Sequence, residues 1–320
     1  MFNGPAPVDA VRLLHRLGLF PTVFALPPPL PERLGEAYGA PCVACMAAAD
    51  GLARSLGLQL DKDERRFLLL AALMLPLRGL AVPGAKGKPT PAPAALIRDS
   101  LKWRVKDIEM SAALAEAAAE LAAAHAVLND RAGAGVGADV GAGVGGGGAA
   151  EGGEVADVRV MLGQVIRKLK QHWRLGVVLA PVILMRSAEP LGQDAASGAA
   201  GGGGGSEGAE GGDGGDGEGE AGEQGAAAAA ARLEMARELL SAAEAYGLAE
   251  CYTWKPLMDG KKPLMDGKKV MSLLGWSKAG PELGKVLSAV MDWQLKNPSG
   301  GLAEAEELVK QRFGSGAGKA

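Results

Sequence analysis

Two glycine-rich stretches limit what this chain can fold into. Residues 130–153 are an almost uninterrupted run of Gly, Ala and Val, and residues 187–225 are a second run of Gly, Ala, Asp, Glu and Ser. Sequence of this kind buries too little apolar surface to offset the entropy of ordering it, so both runs are expected to be disordered inserts. They are not phosphate loops, because no G-K-S/T follows and no strand precedes. The chain is thereby divided into helical body segments at 5–129, 154–186 and 226–253. A basic tail follows at 254–313, with a disordered end at 314–320. The second insert also distorts the charge balance. Between Ser187 and Ala231 there are nine acidic residues and no basic one, so the formal net charge of -3 conceals +6 on the remainder. The folded parts are mildly basic, which permits a polyanionic partner.

Outside the inserts, Ala, Leu, Glu and Arg dominate and aromatic residues make up only 4%. That composition favours an all-α fold, with a multi-helix body and a small helical tail around Leu, Val and Ala. Helices are expected over Pro7–Phe20, with Val8, Val11, Leu14 and Leu17 or Gly18 inward, and over Pro41–Leu56. Between them, Leu26–Pro31 reads as an extended connector. Asp61 with Glu64 three residues on is a capping-box variant opening a third helix. Asp61-Lys62-Asp63 also has the D-x-D spacing of a magnesium site, but paired metal carboxylates sit on adjoining strands, so capping is the favoured reading. Pro76 should end or kink this helix, and Leu80–Pro93 should be a Gly, Pro and Lys-rich loop. Further helices are expected over Asp107–Leu128, Val155–Met185 and Ala226–Tyr246, the last ended by Gly247.

The cations form three groups. Arg98, Lys102, Arg104 and Lys106 surround Trp103. Arg167, Lys170 and Arg174 recur at i, i+3 and i+7, beside the apolar stripe Val158, Leu162, Val165, Ile166, Leu169 and Trp173, so one helix would carry both a core face and a positive ridge. Between Trp254 and Ser299 stand eight lysines and three tryptophans. There Gly280-Pro281-Glu282-Leu283-Gly284 opens a helix whose free amides suit an anion, and Leu283, Val286, Leu287, Val290 and Trp293 form its apolar stripe. Lys285 and Lys296 lie off that stripe. Cations beside aromatics suit a nucleic-acid backbone, but the same residues also make an ordinary solvated face, and both readings stand. His15 and His172 read as surface residues without a catalytic partner. Cys42-x-x-Cys45 lacks a second metal-binding pair and reads as buried thiols in a reducing compartment. No apolar run reaches the ~20 residues of a membrane span, and neither a signal nor a transit peptide is seen, so an intracellular location in cytoplasm or organelle is expected.

An ordered set of motifs resembles one family. In the tail these are K-P-L-M-D-G-K, K-V-M-S-L-L, G-P-E-L-G and W-Q-L-K-N-P-S-G. In the body they are P-V-D-A-V-R-L-L-H-R-L-G-L-F-P, A-A-L-M-L-P-L-R, I-R-D-S-L-K-W-R-V-K-D and R-V-M-L-G-Q-V-I-R-K-L-K-Q-H-W-R. Together they are similar to the C-terminal body and tail of CCA-adding tRNA nucleotidyltransferases of the plant and algal type. The resemblance implies a chain that grips the acceptor-T arm and elbow of tRNA. The residues matched to that task are Arg98, Lys102, Arg104, Arg167, Lys170, Arg174, Lys255, Lys268, Lys269, Gly280, Gly284 and Lys285. Two departures follow from the same comparison. K-P-L-M-D-G-K occurs twice in tandem, at Lys255–Lys261 and Lys262–Lys268, so one copy should form an extra turn or bulge, and either Asp259 or Asp266 should cap a helix. The family's Gly-Ser, strand-borne D-x-D and E-D-x-x-R motifs are missing. The chain is therefore expected to bind RNA without transferring nucleotides or holding a cofactor. Magnesium with CTP and ATP is implied only for a complete enzyme, whose head would be encoded upstream of Met1. A non-enzymatic helical scaffold is the alternative.

Overall fold

The computed structural model describes residues 1–35, 38–84, 88–133, 152–188, 191, 217–255, 258–259, 262–263 and 265–314. Most of both glycine-rich runs, and 315–320, lie outside the described residues. The helices along the chain are α1 (Pro7–Arg16), α2 (Phe20–Val23), α3 (Leu30–Leu34), α4 (Gly39–Ser55), α5 (Lys62–Met74), α6 (Ala92–Ala95), α7 (Val105–Gly133), α8 (Gly152–Leu169), α9 (Trp173–Ile183), α10 (Gly217–Ala245), α11 (Gly267–Leu274), α12 (Pro281–Lys296) and α13 (Leu302–Phe313). Two short antiparallel hairpins join them, β1 (Ala81–Pro83) with β2 (Pro89–Pro91) and β3 (Met258–Asp259) with β4 (Lys262–Pro263). The fold is all-α, as the composition implied. It divides into two compact units, the first comprising Met1–Ala123 and Arg174–Leu240, the second Ala124–Trp173 and Ser241–Ala320. The body anticipated over 5–129, 154–186 and 226–253 is thus shared between units, and the tail lies in one unit with α8.

The first unit is built on α4 and α5. Asp61 accepts from the amides of Asp63 and Glu64 at 2.8 Å, and Glu64 accepts from the Asp61 amide at 3.1 Å, a complete capping box. The D-x-D spacing is thereby used to start a helix. From Phe67 to Met74 every residue is buried, so α5 has no polar side there, and Pro76 then confines the chain to a 3-10 turn, Leu75–Leu77. Around this core stand Phe20, Phe24 and Tyr38, whose hydroxyl donates to the Phe24 carbonyl at 2.9 Å. His15 packs edge-on against Phe20, and a Cβ on Gly39 would lie 2.8 Å from its Nδ1, so any larger residue there would displace the imidazole. Cys42 and Cys45 are buried. Desolvation raises both thiols, Cys45 to about 11, so they stay protonated near neutrality.

Three expectations need correction here. α1 ends at Arg16, because Gly18 takes a left-handed φ of 69 and turns the chain, leaving Leu17 61% exposed instead of inward. The loop at 80–93 contains the β1–β2 hairpin, pinned by buried Val82 and limited to three residues a side by prolines that cannot donate. α10 begins at Gly217, inside the stretch assigned to the second insert.

One segment of α7, Val105–Asp130, is long and apolar enough to cross a membrane by length and composition, although charged residues interrupt every apolar run within it. Its buried positions, Asp107, Ser111, Leu114, Ala118 and Leu121, recur every three to four residues, with Glu109, Glu116 and Glu120 on the exposed side. That is the pattern of a helix covering a core.

In the second unit, α11, α12 and α13 bury Val270, Leu274, Val286, Val290, Ala305 and Val309 against one another, with Met265 beneath them. Trp293 lies directly on Gly300, where any side chain would collide with the ring. Between the two K-P-L-M-D-G-K copies the chain forms the β3–β4 hairpin, and the second copy supplies the cap of α11, the Asp266 carboxylate accepting from the Lys269 amide at 2.8 Å.

Candidate nucleic-acid interface

The cations around Trp103 sit on a distorted helix end. After α6, residues Leu96–Ser100 form a π-helical turn, with the Leu101 amide donating to the Leu96 carbonyl at 3.1 Å and the Trp103 amide to that of Ile97 at 3.1 Å. Leu96 and Ile97 are buried, and the Ser100 hydroxyl donates to the Ala25 carbonyl. Trp103 packs edge-on against Phe2, with ring centroids 5.0 Å apart, so its ring serves the core and not as an open stacking platform. Arg98 is held by Asp99 through two hydrogen bonds of 2.8 and 2.7 Å. Those bonds raise the Arg98 pKa and lower that of Asp99, and they leave little net charge there. Lys106 Nζ stands 5.2 Å from the Phe67 ring centroid, which Arg66 also approaches at 5.2 Å. Lys102 and Arg104 are exposed. Among the described residues neither side chain makes an ion pair.

The expected ridge of Arg167, Lys170 and Arg174 does not form. Val155–Met185 is not one helix: Lys170 has a φ of 54, and Lys170–His172 is a 3-10 turn between α8 and α9. The break changes the helical phase, and Arg174 falls in the first unit while Arg167 and Lys170 belong to the second. Arg167 is half-buried and donates to the carbonyls of Cys251 at 2.9 Å and Trp254 at 3.0 Å, so it ties down the chain that leads into the tail. Lys170 is exposed, as is Arg174.

One face of α8 has a role that the charge pattern did not reveal. Arg159, Gly163 and Arg167 recur every four residues and so share a side. Arg159 donates to the Leu295 carbonyl at 2.6 Å and to the Tyr246 carbonyl, and burial lowers its pKa. A Cβ on Gly163 would lie 2.5 Å from Leu295 Cδ2, so only glycine admits α12 at this spot. The Cys251 thiol, raised to about 11 by burial, points at the Gly163 carbonyl at 3.6 Å, and Gln164 donates to Asp292 at 2.9 Å. The glycine in the middle of an apolar helix was the available sequence signal, since it costs helix stability and is retained where something approaches closely.

In the tail, Lys255 and Lys268 are exposed, whereas Lys269 is paired to Glu306 at 2.9 Å and Lys285 to Glu282 at 2.7 Å. Gly280 caps α12 with Pro281 in its first turn, and a Cβ on Gly280 or Gly284 would meet nothing within 4 Å. The Leu283 amide is already engaged by the Gly280 carbonyl at 3.1 Å. Glu282 supplies negative charge in the same turn, so an incoming anion competes with the chain's own carboxylate. Of the cations matched to RNA binding, those that combine exposure with no ion pair among the described residues are thus Lys102, Arg104, Lys170, Lys255 and Lys268. Among the described residues no group of three or more His, Cys, Asp or Glu stands together in a metal-binding arrangement. Comparison with protein-family models, with curated proteins and with solved structures gave no match.

Proposed function

We propose that this chain binds tRNA in the manner of the body and tail of a CCA-adding tRNA nucleotidyltransferase, gripping the acceptor-T arm and elbow through phosphate contacts. The reading assigns it RNA binding and not nucleotide transfer, with magnesium and CTP or ATP belonging to a complete enzyme. It rests on the motif order in the sequence. The carrying structural observation is that each compact unit has exposed cations free of ion pairs among the described residues: Lys102 and Arg104 on the first, Lys170, Lys255 and Lys268 on the second. Phosphate contacts of this sort give affinity with little base reading.

The test is a gel shift with tRNA and with an unstructured RNA of equal length over a range of salt. Preference for tRNA and a steep fall of affinity with salt are expected, and Lys268→Glu should weaken binding more than Lys285→Glu, whose charge Glu282 already balances. Equal affinity at low and high salt would contradict the reading. A helical protein-interaction scaffold is the second reading, favoured by Leu13, Leu17 and Leu19, which are 46%, 61% and 44% exposed around the end of α1. It predicts no preference for tRNA over the unstructured RNA.

A further inference from the structure

Eight described residues adopt a left-handed backbone, and six of them are glycine. The other two are Lys102, with φ 56, and Lys170, with φ 54. In that region Cβ crowds the following carbonyl, which is why glycine is the usual occupant. Asn and Asp are tolerated there because their short polar side chains bond locally, an option lysine lacks. A chain that contains 49 glycines, and uses one at each of its other described left-handed positions, carries lysine at these two. Their backbone role gives no reason for a lysine, so the reason lies in the side chain.

The two sites are built alike. Lys102 follows the π-helical turn and precedes α7, and Lys170 follows α8 and opens the turn before α9. A tryptophan that is wholly or partly buried lies beside each break. Trp103 lies against Phe2, and Trp173 is 2% exposed. Both lysines are exposed and, among the described residues, neither lies within ion-pair distance of a carboxylate, although Lys102 is close enough to Asp99 to help hold its pKa down. An ammonium carried on a backbone held by packing loses less freedom on meeting an anion than one on a mobile loop. Strained non-glycine residues of this kind cluster where a ligand is held.

We propose that Lys102 and Lys170 are phosphate anchors, each binding one backbone phosphate of the RNA independently. The assignment deepens the tRNA-binding reading and rests on it. It also separates these two from Arg98, Arg167, Lys269 and Lys285, whose charges are committed within the chain. The experiment compares the full chain with Lys102→Gly, Lys170→Gly, the double glycine variant, and Lys102→Arg and Lys170→Arg, measuring thermal midpoint and tRNA affinity against salt. Each glycine variant should keep or raise the midpoint, because strain is relieved, while lowering the slope of log affinity against log salt by about one, and the double variant by about two. The arginine variants should retain the wild-type slope. Glycine variants that bind with the wild-type slope, or that lose affinity only as they lose thermal stability, would overturn the assignment while leaving the broader reading intact. Wild-type binding that does not respond to salt overturns both.

Discussion

The two compact units hold their helices by different means. In the first, eight successive residues of α5, Phe67–Met74, are buried, and the charged donors at the start of that helix, Arg65 and Arg66, go to carboxylates, Asp50 at 3.2 Å and Asp107 at 3.1 Å. In the tail of the second, α11, α12 and α13 each bury only two residues of the shared core, and α8 adds what that core lacks. It does so with Arg159 and Arg167 donating to carbonyls at the end of α12 and along 246–254, and with Gly163 letting Leu295 approach. A small helical module without enough apolar surface can be fixed by charged donors on backbone acceptors, and the cations that do this are unavailable to a ligand. Positive charge in the sequence therefore overstates the positive surface.

The largest effect that sharpens this contrast belongs to the first unit. Leu70→Ala should cost about 2–5 kcal/mol in chemical denaturation, through lost burial and the cavity left behind; a loss well under that range would mean the α5 core is looser than its burial indicates. Next comes Arg167→Ala. Removal of charge-assisted hydrogen bonds to two carbonyls should cost about 1.5–3 kcal/mol and expose the chain near Trp254 to protease, without changing the salt slope of RNA binding. A slope reduced by about one, with unchanged protease resistance, would return Arg167 to the RNA surface and break the comparison. The smallest is Asp266→Ala, which removes the α11 cap and should cost about 1 kcal/mol, read as faster amide exchange over the first turn of α11. Unchanged exchange there would show that the hairpin between the repeated heptapeptides holds the helix start without its cap.

Local chemistry was legible wherever one residue acts on its near neighbours. The Asp61–Glu64 capping box, the Pro76 stop, the Gly247 end of α10 and the Val286–Val290 face of α12 all follow from spacing within a turn or two. The site was less legible. Arg167, Lys170 and Arg174 have the periodicity of a ridge, but that inference assumed a continuous helix, and the left-handed backbone at Lys170 removes it. Arg159 was indistinguishable from any solvated arginine, because its acceptors lie at Tyr246 and Leu295, far along the chain.

By itself, then, the sequence determined that the ordered parts would be helical, where most helices begin, and that two glycine-rich runs would separate them, since propensity, capping and burial patterns act over a few residues. Only the tertiary structure decided which basic side chains remain free. A guanidinium or ammonium group is committed by whichever carbonyl, carboxylate or ring the fold brings beside it, and for Arg159, Arg167, Lys106 and Lys269 those partners are 30 or more positions away in the chain.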